Sequence, residues 1–157
     1  MLNGTELSEI SQKLAETKAK TISLESPNAY VIGCDQTLIF QKKLLSKVKE
    51  KPDVINRLHE LNNDEHILYT SAVICFENKP IWRITKNAKL EMKNNSDGYI
   101  MDYVKRNYDC IVKTTGCYMI EGEGIRLFKH IDGDYFSILG LPLIPILNFL
   151  NARGEIG

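Results

Sequence analysis

Apolar positions recur along this chain with two periods, and the switches between them predict its elements. Leu7, Ile10 and Leu14 fall three and four residues apart, one stripe of an amphipathic helix that runs on, unexpectedly, to Lys18. After the Ser26-Pro27 break, Asn28 to Asp35 reads as a buried strand ending in a carboxylate. Gln36 to Phe40 continues with β-formers, so a turn and a second short strand through Leu45 follow. Val54, Ile55, Leu58 and Leu61 predict a helix over Lys51–Asn62, with Pro52 allowed in its first turn. His66 to Phe76 is a strand, Glu77-Asn78-Lys79-Pro80 a turn, and Ile81 to Met92 the hairpin partner. Ser96 caps a helix carrying Ile100, Tyr103 and Val104. Gly116 to Gly124 reads as a glycine-punctuated loop, Leu127 to Ile131 as a strand, and Leu143 to Leu150 as a final helix after Pro142. Helices and strands alternate, and the central hairpin calls for a mixed sheet. The class is therefore α/β or α+β, without strict double winding.

Composition narrows the function classes. The 157 residues suit one domain, and 43% hydrophobic with 25% charged residues is the balance of an ordinary folded protein. Twenty Lys and Arg against twenty Asp and Glu cancel, which argues against a nucleic-acid coat or a polybasic membrane patch. The Met1–Gly4 start has no basic segment of a secretory signal, and no apolar run has the length of a membrane span. Cys34, Cys75, Cys110 and Cys117 are scattered without a C-x-x-C, and His59, His66 and His130 are not spaced to complete a metal site with them. These are expected to be reduced thiols of a cytoplasmic protein.

Four segments carry side chains able to do chemistry. Asp35, at an apolar strand's end, suits a general base or a metal ligand, or else caps the following turn. Lys18 on its helix, and Lys47 in the run Lys42, Lys43, Lys47, Lys49 and Lys51, are either solvated cations or a site for a polyanion. In Gly116–Gly124, Gly122 and Gly124 permit close approach of backbone to a ligand, and Glu121 is either an acceptor for a base edge or a solvated acid. Asp132-Gly133-Asp134 looks like a fragment of a calcium loop, but its apolar flanks make it a turn.

Taken together, Leu14–Ala19, Val31–Gln36, Leu45-Ser46-Lys47, Tyr69–Val73 and Gly116–Pro142 resemble the Maf family of nucleoside triphosphate pyrophosphatases. The stretch Asp132-Gly-Asp-Tyr-Phe-Ser-Ile-Leu-Gly-Leu-Pro-Leu143 is the most specific match, and the resemblance runs from about Ser8 onward. It implies a single α/β domain over residues 1–157, an elongated, curved mixed sheet flanked by helices around a central cleft. It implies cleavage of the α–β phosphoanhydride of a nucleoside triphosphate, with Mg or Mn, in a cytoplasmic homodimer that binds neither nucleic acid nor membrane. By position, Asp35 is the proton acceptor, Lys18 and Lys47 contact the triphosphate, and Gln36 and Glu121 tune base choice toward a 7-methyl-GTP-like purine over dTTP or UTP. The family's N-terminal strand and Ser-x-Ser-Pro-Arg-Arg loop are missing here, and Ser46-Lys47-Val48 replaces Gly-Lys-Pro. The expectation from those departures is weak hydrolysis. The alternative is a catalytically impaired nucleotide-binding or cell-division-associated protein that keeps the fold.

Overall fold

Each strand–strand connection in the chain reverses direction or crosses a neighbour, and that decides the sheet. The computed structural model describes residues 4–157, with side chains from Leu7 onward. The Met1–Asn3 part of the opening, where the sequence carries no basic signal segment, lies outside the described residues. The elements are α1 (Gly4–Glu25), β1 (Val31–Phe40), β2 (Lys43–Leu45), α2 (Lys51–Leu61), β3 (Glu65–Phe76), β4 (Lys79–Met92), α3 (Asp97–Ile111), a 3₁₀ turn (Glu123–Leu127), β5 (Phe128–Asp132), α4 (Tyr135–Ile138) and α5 (Leu143–Ala152).

The five strands form one open sheet in the order β2-β1-β3-β4-β5, flanked by helices. It is antiparallel, not mixed. β1 turns into β2 through Gln41 and Lys42, and β3 into β4 through Glu77 and Asn78; all four residues have positive φ, the two-residue turn whose twist matches a hairpin. The α2 crossover returns the chain to the direction of β2 but sets β3 on the far side of β1, so β1 meets an antiparallel neighbour on each edge.

The chain divides into two compact units, with boundaries inside β1, β3 and β4. Unit 1 holds the chain up to Thr37, Tyr69–Ala88 and Gly133–Gly157. Successive residues of a strand face opposite sides, and β3 uses both: Val73 and Cys75 pack on Ala15 and Ala19 of α1, while Ala72 and Ile74 pack on Ile146 of α5. Trp82 stacks on Phe149 at 5.3 Å, closing the α5 side. The α1 face that is buried reads Leu7, Ser11, Ala15, Ala19 and Ser23. The stripe expected from apolar spacing is rotated off it, and Leu14 is 44% exposed.

Unit 2 holds Leu38–Leu68 and Lys89–Asp132. There α2 buries Val54, Leu58 and Leu61, and α3 buries Ile100, Tyr103, Val104 and Ile111; the two helices pack on each other. Ser96 caps α3 as its sequence predicts, accepting from the Tyr99 N–H at 3.3 Å. Asn62 and Asn95 tie the end of α2 to the chain before α3 through the Asn62 side-chain oxygen, which accepts from the Asn95 backbone and amide nitrogens at 3.0 Å each.

Candidate active site

The small-residue face of α1 is what assembles the first pair. At Gly33 a Cβ would collide with the Ala15 carbonyl oxygen and with the nitrogen and Cβ of Ala19, so helix and strand approach as closely as backbones allow. Asp35, two residues on, faces the same side of β1, and Lys18 precedes Ala19. The Lys18 ammonium therefore reaches the Asp35 carboxylate, donating to Oδ1, and also donates to the Cys34 carbonyl at 3.3 Å. The Asp35 side chain is 15% exposed and the Lys18 side chain 59%. Asp35 does not end its strand: five more β1 residues follow it, and it caps no turn. A carboxylate fixed mid-strand beside a largely exposed cation can accept a proton while the cation attends an anion.

Gln36, next along β1, is engaged with the protein. Its amide nitrogen donates to the Thr70 hydroxyl at 2.7 Å and to the carbonyls of Ser137 and Ile138 at 3.0 Å. Thr70 donates to the Ser137 carbonyl as well, at 2.8 Å. At the other end of α4, the Asp134 carboxylate accepts from the Ser137 N–H at 2.8 Å and hydroxyl at 2.7 Å, and these bonds hold its pKa below the usual carboxylate value. The sequence reads Asp132-Gly133-Asp134 as a turn, whereas here Asp134 is the N-cap of α4, with Gly133 at φ 156° and no room for a Cβ against Ala88.

Lys47 and Glu121 belong to unit 2. Lys47 is exposed between β2 and α2. Its loop is held by Arg57, a residue that the sequence offers only as one more helix cation: Nη1 donates to the carbonyls of Ser46 at 3.1 Å and Thr115 at 2.7 Å. Glu121 is exposed and lines a cavity of about 190 Å³ with Tyr103, Asn107, Met119 and Gly124. Glu123, not Glu121, is the tethered acid of this stretch: Arg106 and Asn107 hydrogen-bond it and lower its pKa to about 2. Neither Gly122 nor Gly124 takes a positive φ; Gly124 is required because a Cβ would meet the Met119 backbone and the Tyr103 hydroxyl. Among the described residues no group of three or more His, Cys, Asp or Glu side chains is placed to hold a metal.

Residues 3–153 match the family model for Maf-like protein. The chain belongs to the Maf family. It is similar to a nucleoside triphosphate pyrophosphatase of Roseobacter denitrificans, 47% identical over 148 residues, which are 94% of this chain and 74% of the relative. A nucleoside triphosphate pyrophosphatase of Ruegeria pomeroyi is 45% identical over the same shares. A 7-methyl-GTP pyrophosphatase of Brucella abortus is 37% identical over 145 residues, 92% of this chain and 73% of the relative. Within this Maf chain, then, the structure brings Lys18 and Asp35 together, turns the amide of Gln36 inward, and leaves Lys47 and Glu121 exposed in unit 2.

Proposed function

We propose that this protein is a nucleoside triphosphate pyrophosphatase that splits the α–β phosphoanhydride into a nucleoside monophosphate and pyrophosphate. The Lys18–Asp35 pair on the close-packed face of β1 carries the reading, and the names of its Maf relatives support it. Water adds to a phosphorus of the α–β bridge, the bridging P–O bond breaks, and a proton of the water passes to Asp35. Lys18 and Lys47 contact the triphosphate as point charges and offset its negative charge as it redistributes. A divalent cation, Mg or Mn, enters as the metal–triphosphate complex, since that ion needs only one or two carboxylates when phosphates supply the rest.

The finer specificity we propose is a 7-methyl-GTP-like purine over dTTP or UTP. An exposed acceptor at Glu121 suits the N–H edge of guanine and a cationic ring, and the Brucella abortus relative is named for that substrate. Gln36 contributes by fixing the α4 carbonyls. No helix among the described residues is long and apolar enough to cross a membrane, and all four cysteines are free thiols, which supports a place in the cytoplasm.

The test separates products of a triphosphate panel with Mg, for the wild type and Asp35→Asn. Monophosphate and pyrophosphate are expected, fastest from 7-methyl-GTP, with turnover of the folded variant lower by about 10²–10⁴-fold. Diphosphate and phosphate as products would overturn the reaction, and fastest turnover on dTTP or UTP the specificity. Tight triphosphate binding without turnover would favour the binding-protein alternative.

A further inference from the structure

We infer that Arg57 is a positioning residue that sets the conformation of the loop presenting Lys47. The inference rests on the reading of Lys47 as a triphosphate contact. Arg57 sits in α2 with a side chain only 10% exposed. Its Nη1 donates to the Ser46 carbonyl at 3.1 Å, immediately before Lys47, and to the Thr115 carbonyl at 2.7 Å, immediately before Gly116. Its Nε donates to Glu60 Oε2 at 3.0 Å, which fixes the plane of the guanidinium. One partly buried cation therefore joins two loops that are 69 positions apart in the chain (115 − 46).

The physical need is local. The β1–β2 ladder ends at the Leu38–Leu45 pair, and the residues that follow it form the loop that leads to α2. Val48 stands after Lys47, and a valine leaves φ free where a proline would fix it. Binding through an unrestrained loop must order that loop first, a cost that preorganisation removes. Arg57 supplies the restraint at the carbonyl instead. A lysine at the same place offers a single flexible ammonium with no fixed fork, and cannot hold two carbonyls in one plane.

A double-mutant cycle decides it, with calorimetric Kd values for the magnesium complex of α,β-methylene-GTP, which binds without being cleaved. Lys47→Ala is expected to weaken binding about tenfold and Arg57→Ala about fivefold, while the double variant binds no more weakly than Lys47→Ala alone. Arg57→Lys recovers part of the loss, and it carries the same cycle if the alanine variant fails to fold. Additive losses, or an Arg57→Ala protein that binds as the wild type does, would overturn the inference and leave Lys47 in its place. Wild-type binding by Lys47→Ala would remove Lys47 from the site and the inference with it.

Discussion

His66 stands on β3 with its Nε2 2.7 Å from the Tyr118 hydroxyl, against the rings of Tyr118 and Phe128. Its Nδ1 is buried without a partner among the described residues. Desolvation disfavours the imidazolium and lowers its pKa from 6.5 to about 4, against a weaker opposing pull from Asp64. The unfolded chain thus takes up a proton on this ring before the folded one does. Stability from this group is complete above pH 6.5 and is lost as pH falls toward 4, on the order of 3 kcal/mol. Urea midpoints measured from pH 7 to 4 are expected to fall through that window, and His66→Gln to flatten the slope there; an unchanged slope would assign the effect to other groups. As with Asp35 and its strand, the residue type is legible in the sequence and its surroundings are not. Arg57 is the extreme case: its acceptors lie 11 and 58 residues away, and no local pattern announces them.

At the scale of elements, α1 shows why an apolar stripe can mislead. Leu7, Ile10 and Leu14 promise a wide hydrophobic face, yet the buried one is built largely of Ala and Ser. Small side chains bury little area, so they hardly register as periodicity, but they let a helix axis come close to a strand. Gly33 completes that contact from the other side. Gly33→Ala is expected to cost about 1–3 kcal/mol through overpacking and to weaken triphosphate binding, because the displaced helix carries Lys18 away from Asp35. Denaturant midpoints and Kd values check the two parts separately; wild-type values for both would mean that the contact yields without consequence. The hairpin at Glu77-Asn78 and the cap at Ser96 are more legible, since their determinants lie within three residues of the turn or helix they shape. The proposed place of Lys18 in the site is legible only through the family resemblance.

For the whole molecule, the sequence supplies the strands but not the side of β1 on which β3 lands, and that single choice separates an antiparallel sheet from a mixed one. The division into units has a consequence for how the protein is made. A ribosome delivers the chain in order, and unit 2 is complete once Asp132 has emerged, whereas unit 1 waits for Gly133–Gly157. Until then Gln36 lacks the carbonyls of Ser137 and Ile138, 101 and 102 residues downstream, and Ala72 and Ile74 lack Ile146. Contacts of that sequence separation form late and slowly. A chain stopped after Asp132 is expected to protect amides in 38–68 and 89–132 from hydrogen exchange while those of 7–37 and 69–88 exchange freely; equal protection throughout would show that α4 and α5 are not needed to close unit 1. During synthesis, the stretch of β1 that bears Asp35 and Gln36 therefore leaves the ribosome about a hundred residues ahead of the α4 carbonyls it bonds, and through that interval its apolar residues are for chaperones to shield.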